Sequence, residues 1–407
     1  MIENWTNKVI EKNKLPTNKS RIFQFLILLF SFFPYITPVS FGTDIQPWNI
    51  LIVTTYSMLL FYNGCRFQRI FIYLLIPMVC SILLFYVGDN QFSSIRSIAG
   101  YFTIALTPLV FHYMLNKYYD LTVNFLKFSV IIYLIIGLIQ IVFDVNFLSF
   151  LLSRISSFGG RGVTSLTPEP TFYGIVCLFL ILLFLTLDIK NKSIFIYLLL
   201  FQIFFIAQSS MVILFLLIFG FYYAIFKFNA KILLFLIMAL CIAMVIFVTL
   251  DSYHYDARVL HLFNQAITHP ETLMSDGSIN PRIGSIYFSI MGFIDNFGMP
   301  NGFGAFSNYW ATELPKQDIF IQSSNTPPVR IMSFYGSILF ELGVVGLLIP
   351  ISYSIILLRA YKKNIKNFLL FFFFLNTILF TAIPVSLPLV GIYIAALLYR
   401  SDNRVNV

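Results

Sequence analysis

Residues 123–143 read VNFLKFSVIIYLIIGLIQIVF, and after Lys127 this run carries no charge at all. Wound as an α-helix at 1.5 Å per residue it covers about 30 Å, the thickness of a bilayer's hydrocarbon core. Apolar runs of the same kind lie on both sides of it, at 21–39, 48–62, 70–87, 97–115, 171–187, 193–207, 211–226, 232–250, 331–358, 368–383 and 386–399. Composition agrees: of 407 residues 59% are hydrophobic, 18% aromatic and 11% charged, with mean hydropathy +0.86. A water-soluble domain carries roughly 25% charged residues, so an ordinary soluble enzyme is excluded. A dozen spans of about 20 residues would take up well over half of the chain. The expected fold is an all-α polytopic membrane protein of about 12 transmembrane helices, a single integral membrane domain over residues 1–407.

Two pairs of runs read as tight hairpins. One breaks at Gln208-Ser209-Ser210 and the other among Pro384, Ser386 and Pro388, where proline removes a backbone donor. Ten or eleven spans result if a hairpin is one long or re-entrant element. Orientation follows from the lysines and arginines. Lys8, Lys12, Lys14, Lys19 and Arg21 precede the first run. Arg66 and Arg69, Lys117 and Lys127, Lys190 and Lys192, and Lys227 and Lys231 fall at successive alternate connections. Arg359, Lys362, Lys363 and Lys366, then Arg400 and Arg404, complete the set. These 19 of the 26 cations share one side, which the positive-inside rule makes cytoplasmic, with both termini. The net charge of +9 therefore needs no nucleic-acid partner. The first span, with no small-x-small cleavage site after it, is expected to stay as an anchor. Cys65, Cys80, Cys177 and Cys241 stand singly, without metal-like or disulfide-framework spacing.

The seven remaining cations are Arg96, Arg154, Arg161, Arg258, Arg282, Lys316 and Arg330. Orientation requires only positive charge, so the excess of arginine on this side is a separate signal. The planar guanidinium grips phosphate bidentately. Two long loops, 144–170 and 251–330, hold most of these residues. The first ends in GGRGVTSLTPEPTFYG, residues 159–174. Its glycines let backbone approach a ligand, Pro170 biases Glu169 toward extended geometry, and a helix starts at Pro170 or Thr171. Glu169 is thus expected at a helix N-terminus, a place that favours anions. A salt bridge from Arg161 to Glu169 is the plainer alternative.

In the second loop, Leu260, Phe263 and Ile267 share a helical face, with Arg258, His261 and Gln265 off it, as in a helix lying in the membrane interface. Another short amphipathic helix is expected to open at Asn280-Pro281-Arg282, with an apolar stripe of Ile283, Ile286, Tyr287, Ile290 and Ile294. Residues 298–304 read as a tight turn, and Arg330 leads into the run containing Glu341, an intramembrane acid with either a functional or a structural pairing role. No D-x-D, Walker A or H-E-x-x-H motif occurs, so no metal site and no cofactor are expected.

The segment RGVTSLTPEPTFYG resembles the O-antigen polymerase (Wzy-type) family, within the wider O-antigen polymerase and ligase superfamily, through Arg161, Ser165, Glu169-Pro170-Thr171 and Gly174. Glu341-Leu342-Gly343 and Gly346 also suit that family, as do Arg282 and the Gly302/Gly304 turn. A ligase is expected to have a histidine just before span 10, where this chain has Ser323, Ser324 and Asn325. The resemblance implies a GT-C-like membrane fold and glycosyl transfer at the periplasmic face of the bacterial inner membrane. A growing glycan would pass from undecaprenyl diphosphate onto an incoming undecaprenyl-diphosphate-linked oligosaccharide. On this reading Arg161, Arg282 and Arg330, with Arg154 and Arg258 in reserve, stabilise the diphosphate leaving group in place of a metal, and Glu169 or His261 is the base. Membrane lipid, a chain-length regulator and a flippase are the implied partners. The alternatives are a ligase joining polymer to lipid A core and a lipid-linked oligosaccharide flippase.

Overall fold

The computed structural model describes residues 17–37, 45, 47–65, 67–84, 91–155, 162–227, 279–316, 331–381 and 383–405, with the isolated positions 234, 238, 265 and 268. Among them no strand occurs. The first eight helices are α1 (Thr17–Phe32), α2 (Trp48–Tyr62), α3 (Ile70–Leu84), α4 (Gln91–Lys117), α5 (Tyr119–Val142), α6 (Pro170–Thr186), α7 (Lys192–Phe201) and α8 (Ser210–Lys227). They are followed by α9 (Asn280–Asp295), α10 (Ala305–Glu313), α11 (Phe334–Leu342), α12 (Leu348–Ala360), α13 (Ile365–Thr381) and α14 (Pro388–Val405). Apart from those isolated positions, the expected span at 232–250 and the expected interfacial helix at 257–267 lie outside the described residues.

Three helices form the centre. A helix that is apolar all round belongs inside a bundle, and α6 is buried along nearly its whole length. In α14 every residue from 388 to 398 is buried, and its closest packing is with α4. Gly100 of α4 lies against Val385 and Gly391 of α14 against Thr107, while His112 meets Asp402, so these two helices run parallel. Arg400 at the far end of α14 donates to the carbonyls of Leu185 and Thr186 (3.4 and 3.0 Å), which cap the far end of α6. All three helices therefore point the same way, with Glu169, Arg96 and Pro384 at one end and Arg400 and Asp402 at the other.

Around this centre the usual rule for a soluble protein is inverted. Leu51, Met58, Leu83, Val142, Phe205, Leu214 and Phe221 are exposed on the outer helices. Apolar surface on this scale needs an apolar surrounding. Among the described residues four helical stretches, Ser94–Lys117, Tyr119–Val142, Ser210–Lys227 and Phe334–Ala360, are long and apolar enough to cross a membrane. The protein is a membrane-embedded α-helical protein. Both expected hairpin breaks occur: α7 runs through a π turn (Gln202–Ala207) to Gln208 at φ 46°, and α13 and α14 are separated by the segment around Pro384.

Two local features add to these expectations. The span expected at 331–358 is present as the stretch Phe334–Ala360, and it is broken at Gly343, whose φ of 59° and ψ of −142° lie outside helical geometry. A methyl on Gly346 would stand 2.4 Å from the Ile338 side chain and 2.6 Å from its carbonyl oxygen. A continuous helix would hold those positions about 12 Å apart, so the chain folds back on itself. α11 is a half-helix of about 14 Å, too short to cross alone.

The stripe expected on α9 is exposed at Ile283 and Ile294, and small residues form the helix's packing face. Gly284, Ser285, Ser289 and Gly292 are buried. Trp310 packs on Gly284 and Phe340 on Gly292 so closely that a methyl would stand 2.1 and 2.4 Å from them. In an apolar surrounding helices associate through small residues and turn large apolar ones outward.

Candidate functional site at the Glu169 end

Glu169 precedes α6 in extended conformation (φ −146°, ψ 150°), and Pro170 opens the helix as expected, since its missing N–H costs nothing there. The Glu169 Oε1 accepts from Arg154 Nη2 at 2.8 Å. The salt bridge expected as the plainer alternative thus has Arg154 as its described partner; Arg161 lies outside the described residues. This pairing puts a guanidinium and a helix N-terminus, two elements that attract phosphate oxygens, on either side of the Glu169 carboxylate, which repels them.

Residues 162–168 are buried rather than looped into solvent. The Val163 N–H donates to the Ile206 carbonyl (3.0 Å), and the Ser165 N–H to Gln140 Oε1 (2.6 Å). Gln140 Nε2 returns a bond to the Ser165 carbonyl (3.1 Å), and Ser165 Oγ donates to the Tyr133 carbonyl (2.9 Å). Tyr173 Oη joins Tyr133 to Gln202 (3.0 and 2.8 Å). At Gly162 a methyl would sit 2.3 Å from the Ile206 carbonyl oxygen. The close approach expected of this glycine toward a ligand is therefore made to the chain's own α7 hairpin. Buried polar groups need partners, and this network supplies them, fixing the position of Glu169.

Arg282 lies in the first turn of α9, half-buried, and the helix opens at Asn280-Pro281-Arg282 as expected. The 298–304 turn is present, with Gly298, Gly302 and Gly304 all at positive φ. The Val344 N–H donates to the Gly298 carbonyl (2.9 Å), tying the turn to the break after α11. Arg258, His261 and Arg330 lie outside the described residues.

Beside this turn is a cavity of about 60 Å³ whose wall includes Arg96, Ser97, Gly304, Phe306, Ser337, Glu341 and Val385. Glu341 belongs to it: Oε1 accepts from Ser97 Oγ (2.7 Å) and Oε2 from Tyr101 Oη (2.8 Å). The Arg96 side chain lines the same cavity as that carboxylate. The sequence reading counted Arg96 among the outward cations but gave it no site role, and overlooked Ser97 and Tyr101. Both facing pairs, Ser97/Tyr101 and Ser337/Glu341, have i, i+4 spacing, which puts each pair on one helix face.

At the opposite end His112 Nε2 and Gln68 Nε2 both contact Asp402 Oδ2 (2.8 and 2.7 Å). Burial pushes the Asp402 carboxyl up, but the His112 and Gln68 contacts outweigh it and hold the group below the usual range. Among the described residues no group of three His, Cys, Asp or Glu side chains is placed to hold a metal, and Cys65, Cys80 and Cys177 are free thiols. No protein-family model matches this sequence, and no curated protein matches it significantly.

Proposed function

We propose that the protein is a polysaccharide polymerase of the Wzy type, a glycosyltransferase of the bacterial inner membrane with its site on the periplasmic face. The observation that carries the reading is the Arg154–Glu169 pair at the N-terminus of the most deeply buried helix, at the same end of the bundle as Arg96. The topology of the proposal has about twelve spans with both termini cytoplasmic. The parallel run of α4, α6 and α14 supports it, because the positive-inside assignment gives those three segments one direction.

The donor is a glycan on undecaprenyl diphosphate and the acceptor a second lipid-linked repeat unit. An acceptor hydroxyl attacks the donor's anomeric carbon, and the C–O bond to the diphosphate breaks with its electron pair leaving on the phosphate. Arg154, with Arg161, Arg282, Arg330 and Arg258 as the other cations of the proposal, offsets the charge developing on the leaving group. Glu169 and His261 are the bases proposed from sequence; Glu169 Oε1 is already engaged by Arg154. The isoprenoid tails lie along the apolar outer helices, and a chain-length regulator and a flippase complete the set of partners.

Full-length protein in proteoliposomes, given a defined undecaprenyl-diphosphate-linked repeat unit, is expected to make polymer equally well with and without a chelator. Deletion of the gene is expected to leave glycan of a single repeat unit. Long polymer stranded on its carrier lipid would indicate a ligase, and no exported glycan a flippase. Normal polymer length in both Arg161→Ala and Glu169→Ala would refute the assignment of this site.

A further inference from the structure

We infer that the cavity beside Glu341 is the acceptor subsite, taking the hydroxyl edge of one uncharged sugar, and that Glu341 receives the acceptor's proton. The inference rests on the polymerase reading and adds to it the acceptor's place and the identity of the base.

Size comes first. At about 10–15 Å³ for each enclosed water, 60 Å³ holds a few waters. That suits the hydroxyl-bearing edge of a monosaccharide. Charge narrows the ligand further. The charged side chains on the described wall are Arg96 and Glu341, one of each sign. A phosphate entering here meets a carboxylate, and a cation meets a guanidinium. An uncharged polyol meets neither penalty, because each hydroxyl both donates and accepts. Ser97, Ser307 and Ser337 add hydroxyl partners, and Phe306 offers an apolar ring face.

The carboxylate is also poised. A carboxylate has about four acceptor positions. Ser97 and Tyr101 take one on each oxygen, which fixes the group's orientation and leaves capacity on both oxygens. Glu341 stands in the last turn of the half-helix α11, and the break at Gly343 that follows is tied to the Gly298 turn of the large loop. Non-helical backbone at membrane depth is tolerated where it lines a cavity. In the reaction the acceptor O–H gives its proton to Glu341 as its oxygen bonds to the anomeric carbon. The bond from that carbon to the diphosphate oxygen breaks, and the diphosphate leaves with the electron pair. The protonated Glu341 then returns its proton to water.

The test uses full-length protein in proteoliposomes with an undecaprenyl-diphosphate-linked repeat unit. Glu341→Gln, which keeps shape and removes basicity, is expected to lower kcat by at least about 100-fold with KM little changed. Sodium formate is expected to restore turnover to Glu341→Ala, since a small carboxylate can occupy the vacated position. Ser97→Ala and Tyr101→Phe, each losing one hydroxyl, are expected to fall about 5–10-fold. If the wild type makes no polymer, the polymerase reading fails and takes this inference with it. If the wild type is active and Glu341→Gln equals it, the polymerase reading stands and this inference alone is overturned. An inactive Gln variant with no formate rescue makes Glu341 a structural residue, which also overturns it.

Discussion

Glu169 and Glu341 stand at the same end of the bundle, both half-buried, and the protein holds their charges in opposite ways. Glu169 sits where a helix begins, at the positive end of the α6 dipole, with Arg154 on one oxygen. Glu341 sits where a half-helix ends, at the negative end of its dipole, and hydroxyls of Ser97 and Tyr101 hold both oxygens. The first arrangement suits an anion that keeps a guanidinium in place. The second suits a carboxylate that exchanges a proton with something entering its cavity. Two acids at one end of the bundle thus divide into a holder of cations and an acceptor of protons, and the division follows from which end of a helix each occupies.

The largest expected effect is the ranking of the two charge-neutral variants. Glu341→Gln is expected to lose at least about 100-fold in turnover. Glu169→Gln keeps a hydrogen-bonding side chain beside Arg154 and is expected to lose about tenfold or less, through looser phosphate positioning. Steady-state rates with one defined lipid-linked unit decide the matter. The reverse ranking would make Glu169 the base and break the comparison.

Much of this architecture could be read from sequence, for identifiable reasons. The breaks at 208–210 and around 384 are marked by polar residues and prolines that no uninterrupted span accommodates, and Glu169-Pro170 declares a helix start. The break at Gly343 carried no such mark, because glycine inside an apolar run gives no sign of its φ. The isoleucine stripe of α9 is legible in the sequence, but its packing face is not, because that face is made by Gly284 and Gly292, which meet Trp310 and Phe340. Residues 162–168 look like a solvent loop by composition, and only the distant Tyr133, Gln140 and Ile206 make their burial tolerable. The Glu341 cavity joins α4 to α11 across more than 200 positions of sequence, a juxtaposition that local pattern does not encode.

Glycine substitutions sharpen the comparison by disturbing the support of one glutamate at a time. At Gly343 an alanine methyl would lie 2.3 Å from the Gly298 carbonyl oxygen, in a backbone conformation side chains disfavour. At Gly162 it would lie 2.3 Å from the Ile206 carbonyl oxygen. Backbone cannot yield as a flexible side chain does, so each change is expected to destabilise the fold by about 1–3 kcal/mol. Thermal midpoints in detergent read this loss. Residual activity should fall further in Gly343→Ala than in Gly162→Ala when both are assayed well below their midpoints, because Gly343 lies two residues from the base. Equal stability to wild type in either variant would mean that the close packing at that glycine is not needed.

Removing Arg154 has a smaller effect on stability. The pair's side chains are 43% and 19% exposed, and ion pairs of this exposure contribute about 0.2–1 kcal/mol. A double-mutant cycle of Arg154→Ala and Glu169→Gln is expected to give a coupling in that range for thermal stability. A larger coupling in turnover than in stability would show that the pair acts on substrate.

The smallest effect is expected at the opposite end, where Asp402 is a control for both glutamates. Its folded-state carboxyl lies below the ordinary aspartate value of about 3.9, despite burial, because His112 and Gln68 hold the ionised form. The stability this gives is present above the unfolded value and is lost as pH falls through the depressed folded value. Asp402→Asn is therefore expected to melt below the wild type at pH 7, with the gap closing below about pH 4. Asp402 is partly exposed, so solvent screening keeps that gap small. Turnover at pH 7, assayed well below both midpoints, is expected to match the wild type, because Asp402 lies at the far end of α14 from the cavity. A loss of turnover comparable to that of Glu341→Gln would mean that α4 and α14, which pack along their whole shared length, transmit the state of one end to the other. The contrast between the two glutamates would then have to be read as a property of the whole bundle, not of two local sites.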